Sequence, residues 1–328
     1  MQMNFSSLRL WACLAVLIAL PAITHAAASN TPPAKAASAI AAPASAPVAK
    51  EELPIECATC HKEAFDNMAA SRHGASGDPR TPWGKADSGL GRNEMCTACH
   101  GKAGDHIDDP IEKKPETLFN KTVKASEKNA RCIACHANVS NRIHWEGSAH
   151  ETNEIACNDC HKVHIKKDPV LVTETQPGVC FTCHKEQRSA MMRISTHPLR
   201  SGQMSCSSCH QPHGSVSEAQ LIKNSVNETC YVCHADKRGP YLWPHPPVQE
   251  NCDTCHQPHG SNNAPMLQNR GPHLCLQCHT NSHRSTLYSG SNLPGGGGNT
   301  RYMVGDNCAN CHYKVHGSNH PSGSNFGR

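Results

Sequence analysis

The string Cys-x-x-Cys-His occurs ten times in this chain, and no other feature constrains its folding as tightly. The copies open at Cys57, Cys96, Cys132, Cys157, Cys180, Cys206, Cys230, Cys252, Cys275 and Cys308. Their second thiols are Cys60, Cys99, Cys135, Cys160, Cys183, Cys209, Cys233, Cys255, Cys278 and Cys311. A histidine follows every pair: His61, His100, His136, His161, His184, His210, His234, His256, His279 and His312. This is the attachment signature of c-type haem. The two thiols form thioethers with the vinyl groups, and the histidine is held beneath the iron as an axial ligand. The competing readings are a zinc knuckle and a thioredoxin-like redox pair. Zinc needs a second ligand pair at loop spacing and has no use for histidine directly after each pair. A redox pair calls for one copy in a βαβ setting. Apart from Cys13, no cysteine lies outside the pairs. The motifs therefore predict ten covalently bound haem c groups, and so a carrier of electrons.

Side chains offer little else to fold around. Aromatic residues make up 4% of the chain, and large aliphatics are sparse, which is too little for an independent core. Each haem is a large apolar plate, so the haem stack takes the place of a core, and the apoprotein is expected to be largely unfolded. Gly and Pro contribute 23 residues each, and no long helical or strand periodicity survives between motifs. The expected fold is mainly irregular with short α-helices: an elongated multihaem c-type cytochrome with a haem-stack core and little or no sheet. Trp83, Trp145 and Trp243 are read as packing against haem rather than as electron paths.

The first residues read as export machinery. Arg9 is the only charge in residues 1–26, and an apolar run from Leu10 to Leu20 ends at Pro21. Small residues at Ala26 and Ala28 offer cleavage sites, so residues 1–26 form a secretory signal, too short to span a membrane. Cys13 lies inside the apolar run and leaves with it. Residues 27–54 are an Ala/Pro-rich disordered leader, and residues 55–328 are the decahaem domain. The formal charge of +4 belongs to the bare precursor; without Arg9, and with ionised propionates on ten haems, it becomes about −7 oxidised and about −17 reduced. That removes any support for nucleic-acid binding.

The motifs also fall into pairs. Those at Cys132, Cys180, Cys230 and Cys275, and their partners at Cys157, Cys206, Cys252 and Cys308, recur with a period of about 49 residues. Five two-haem units follow: 55–131, 132–179, 180–229, 230–274 and 275–328. Each supplies two further histidines as distal iron ligands: His73 and His106, His150 and His164, His197 and His213, His245 and His259, His283 and His316. His144 and His273 fall outside the pattern, and His320 competes with His106 or His316. Two trans histidines place their Cα atoms roughly 12 Å apart, whereas three residues reach at most about 10 Å. So His164, His213 and His259 cannot close on their own motif's haem, and His283 and His316 are poorly placed to do so. With every iron held by two histidines, no coordination position stays open for substrate, and low potentials follow. No catalytic residue is expected.

The ten motifs, the string CHKVHIKKDPVL at 160–171, the repeated CHQPHGS at 209–215 and 255–261, and the ending CHYKVHGSNHPSG at 311–323 resemble the MtrA-type periplasmic decahaem cytochromes, a group that includes MtoA, PioA and DmsE. The resemblance implies a haem wire seated in an outer-membrane β-barrel porin of the MtrB, MtoB or DmsF kind in a Gram-negative bacterium. It implies partners among periplasmic or inner-membrane c-type cytochromes, with an outer-surface multihaem cytochrome as a further candidate. The wire would serve extracellular electron transfer, either Fe(III) reduction or Fe(II) oxidation. A reductase with an open haem and a purely periplasmic shuttle are the alternatives.

Overall fold

The computed structural model describes residues 56–75, 78–81, 93–279 and 308–327. The predicted signal and the whole of the predicted leader, Trp83, His283 and the glycine-rich stretch 294–300 lie outside these residues.

Every motif is built on a single helical turn. The N–H of the motif histidine donates to the carbonyl of the first cysteine, four residues back, at 2.9–3.1 Å in His61, His161, His184, His210, His234, His256, His279 and His312. The other two motifs end the helices Asn93–His100 and Ala125–His136. Residues three and four apart share one helix face, so this turn brings both thiols and the imidazole to the same side. The first motif of each unit meets an α-helix: Glu56–Cys60, Ala125–His136, Gln176–Cys180, Val226–Tyr231 and Gly271–Leu276. From the third unit on, the second motif is only a 3₁₀ turn: Cys206–Ser208, Cys252–Thr254 and Cys308–Asn310.

Between motifs the backbone is mostly turns. Among the described residues, sheet is limited to β1 (Trp243–Pro244) paired antiparallel with β2 (Gly317–Ser318). Asn319 reinforces the pairing: its Oδ1 accepts from the Leu242 N–H at 2.7 Å, and its Nδ2 donates to the Pro240 carbonyl at 3.3 Å. This small sheet joins residues more than seventy apart and fixes His245 and His316, each adjacent to one of its strands.

Among the described residues, a side-chain core is nearly missing. The buried apolar residues are Met68, Met95, Ala156, Met191 and Leu199, while Ile143, Ile194 and Val216 are 76%, 87% and 75% exposed. Short helices with nothing large beneath them do not hold themselves together in water. Among the described residues, no helix is long and apolar enough to cross a membrane.

Candidate haem-binding ladder

Nine of the ten motif histidines face a second histidine ring. The pairs are His61 with His106 at 6.2 Å between centroids, His136 with His73 at 6.0 Å, and His100 with His164 at 6.1 Å. Next come His184 with His150 at 6.1 Å, His161 with His213 at 6.0 Å, and His234 with His197 at 6.3 Å. The last three are His210 with His259 at 5.9 Å, His279 with His245 at 6.1 Å, and His256 with His316 at 6.2 Å. Metal–imidazole bonds of about 2 Å, with each ring centre about 1 Å behind its nitrogen, put two trans rings roughly 6 Å apart. The spacing therefore fits one iron between each pair. Among the described residues, no three His, Cys, Asp or Glu side chains gather as a zinc knuckle requires.

The pairing has a direction that spacing alone does not reveal. His73, His150, His197 and His245 each reach forward, to the first motif of the next unit. His164, His213, His259 and His316 each reach back, to the second motif of the previous unit. His106 reverses the rule at the N-terminal end and faces His61 within its own unit. His283, the remaining histidine of the predicted distal set, lies outside the described residues. His320 places its Nδ1 2.9 Å from Ser322 Oγ. Among the described residues, neither it nor His144 nor His273 faces a motif histidine.

One loop type organises much of this. In CHQPHGS, the Pro212 carbonyl lies 2.8 Å from His150 Nδ1, and the Pro258 carbonyl 3.0 Å from His197 Nδ1. The next residue, His213 or His259, turns back to the preceding unit. Glycine follows because the backbone then takes φ of +98° at Gly214 and +117° at Gly260, a region costly for other residues. A Cβ at Gly214 would stand 2.0 Å from the His144 carbonyl. The loop thus carries a motif histidine, steers a second histidine and supplies a third.

Other rings are held the same way. His100 Nδ1 meets the Thr117 carbonyl at 3.2 Å, His106 that of Lys113 at 2.8 Å, and His210 that of Ala219 at 2.9 Å. His256 meets the Pro265 carbonyl at 3.0 Å and His312 that of Asn325 at 2.6 Å. A carbonyl can only accept, so Nδ1 carries the proton and Nε2 keeps its lone pair for a metal. Burial also favours neutral rings. It pushes His213 down to about 4, with His161 and Arg142 adding to the shift. Burial is likewise the main cause lowering His73, His136, His164, His245, His259 and His316.

The thiols link consecutive motifs without a gap. First cysteines lie side by side within each unit: Cys57 with Cys96, Cys132 with Cys157, Cys180 with Cys206, Cys230 with Cys252, and Cys275 with Cys308. Between units, the second cysteine of one motif lies close enough to the next for their charges to interact: Cys99 with Cys135, Cys160 with Cys183, Cys209 with Cys233, and Cys255 with Cys278. All twenty motif thiols are free of disulfides. One further group fits a haem. Arg142 Nη2 is buried without a hydrogen bond beside Cys132 and Cys157, where a propionate carboxylate would satisfy it.

Sequence reasoning missed the amide staples that clip three of the motif pairs together. Asn129, three residues before Cys132, accepts from the Cys157 N–H at 2.7 Å and donates to the Ile155 carbonyl at 3.2 Å. Asn227, three before Cys230, accepts from the Cys252 N–H at 2.7 Å and donates to the Val248 and Gln249 carbonyls. Gln176, four before Cys180, does similar work for the motifs at Cys180 and Cys206, accepting from the Ser207 N–H at 2.9 Å. The signal was an amide three or four residues before the first cysteine, visible only once the two motifs are seen side by side. Trp145 packs edge-on against His213 at 6.2 Å.

Over 272 residues the chain is 46% identical to the multiheme cytochrome MtrA of Shewanella baltica (strain OS185), covering 81% of this chain and 79% of that protein. The chain belongs to the MtrA family of multihaem cytochromes. Two family models also match: the doubled CXXCH motif at residues 197–239 and 245–284, and the cytochrome c-type protein NrfB-like model at 96–177. Membership in the MtrA family makes this an electron-transfer protein with covalently attached haem c. The irregular backbone, short helices and two-residue strands are the fold expected of such a chain.

Proposed function

We propose that the protein binds ten haem c groups, each iron held by two histidines, and conducts electrons across the outer membrane inside a β-barrel porin. The observation that carries this reading is the unbroken ladder: from Cys57 to Cys308, a cysteine of each motif lies near a cysteine of the next. Haem c supplies a one-electron couple at each rung. The chain's own residues fix the order of the rungs, orient the rings through Nδ1, and leave no ligand position for substrate at the nine paired sites. His283 completes the set as the partner of His312.

A soluble, exported wire crosses a bilayer only if something insulates it. A hydrocarbon core is about 30 Å thick, and large barrels have lumens able to hold a plug. The resemblance to MtrA-type proteins supports a porin as that sleeve, with periplasmic c-type cytochromes at one end and an extracellular acceptor or donor at the other. The reading makes the protein a carrier in the periplasm and outer membrane, not an enzyme.

Two measurements test it. Purification from outer membranes should recover the protein with a barrel, and liposomes holding that complex should pass electrons to an enclosed dye. A protein that is always soluble and barrel-free would overturn the conduit. Electron paramagnetic resonance of the ferric protein should show low-spin haem alone; a high-spin signal would favour the reductase alternative.

A further inference from the structure

Among the described residues, one histidine of the ladder has a carboxylate at its Nδ1. His161 donates to Asp168 Oδ2 at 2.7 Å. Asp168 is held rigidly there. Its other oxygen accepts from the Lys162 N–H at 3.2 Å and the Val170 N–H at 3.4 Å, capping the turn Pro169–Leu171. Its side chain is 11% exposed, so water screens it little.

The repeat supplies its own comparison. In the next two units the same ring position is served by a neutral carbonyl nine residues on, Ala219 for His210 and Pro265 for His256. The second unit has a different connection after its motif and puts Asp168 there, seven residues on. A hydrogen bond to a carboxylate is shorter and stronger than one to a carbonyl. It pulls the proton from Nδ1, pushes electron density towards Nε2 and makes the ring a better donor to iron. A more strongly donating ligand, beside a fixed negative charge, favours the ferric state.

We propose that Asp168 is a positioning and tuning residue that makes the haem of His161 and His213, fourth of ten in the ladder, the lowest in potential. Current in either direction then crosses a step a third of the way along the wire. This inference rests on His161 and His213 sharing one iron.

The test uses the full ten-haem protein, with potentiometric titration of its visible spectrum. Asp168→Asn should move one haem's amplitude from the low-potential end upward, while Asp168→Glu, which keeps the carboxylate, should leave that amplitude near its place. An unchanged low end in Asp168→Asn, or equal shifts in both variants, would overturn the proposal. Should Asp168→Asn lose a haem, His213→Met decides independently. Methionine ligation raises potential, so the low-end amplitude should disappear and a methionine-to-ferric-iron charge-transfer band should appear. If the band appears and the low end stays, the tuning role is wrong. If a stable ten-haem His213→Met protein shows no such band, the ligation reading beneath it is wrong and the proposal falls with it.

Discussion

At the scale of single residues, the ladder is a set of imidazoles whose angles differ although their separations do not. His73 and His136 are close to perpendicular at 87°, as are His150 and His184 at 80°. His256 and His316 lie at 9°, and His161 and His213 at 17°. Crossed axial rings leave the iron d-orbitals nearly degenerate, whereas parallel rings split them. The ferric protein should therefore show two low-spin classes by electron paramagnetic resonance: a strongly anisotropic one from the crossed pairs and a rhombic one from the parallel pairs. A single uniform class would contradict the ring geometry. Arg142 makes a second prediction. A buried cation beside the Cys132 and Cys157 motifs disfavours ferric iron there. Arg142→Leu should lower the potentials of those two haems and leave the ends of the ladder unmoved, as resolved by the same titration.

At the scale of elements, the unit of construction is a turn clipped to a turn. Asn227 holds the Cys252 N–H from a helix that carries Cys230, so one buried amide sets the spacing of two motifs. Asn227→Ala leaves that N–H and two carbonyls without partners, a loss of about 1–3 kcal/mol. Thermal unfolding of the holoprotein should move down accordingly, with the haem count unchanged. These elements also mark where sequence reading reached and where it stopped. Each motif announces its own turn, because its chemistry is local. Chain reach barred His164, His213 and His259 from their own haems, yet it could not say which neighbour each serves. The answer depends on contacts some sixty residues apart, such as His150 with the Pro212 carbonyl. The Asn129 and Asn227 staples were invisible for the same reason: an asparagine in a short helix has no local signature until its partner is beside it. Even the phase of the repeat is a matter of choice. The doubled-motif matches at 197–239 and 245–284 begin half a unit away from the five units read from spacing, and neighbouring cysteines lie near one another across both kinds of boundary.

At the scale of the whole molecule, the described residues present helices of at most twelve residues, a two-residue sheet and five buried apolar side chains. Burial of apolar area is the main force that offsets chain entropy, and here the protein supplies little of it. Haem supplies the rest. Expressed without haem attachment, the chain should lack a cooperative thermal transition, and its circular dichroism should be that of a disordered chain. A well-folded apo form would show that side chains do more than this structure allows.

The forward and backward reach of the histidines also sets a timetable. A chain emerging N-terminus first presents His73 before His136, and His150 before His184, so from the second unit on the haem in the first position finds both ligands already delivered. Haems in the second position wait. His100 needs His164, His161 needs His213, His210 needs His259, and His256 needs His316. From the second unit to the fifth, each arriving unit therefore completes the one before it, and the middle of the protein matures like a zip whose teeth are locked by their successors.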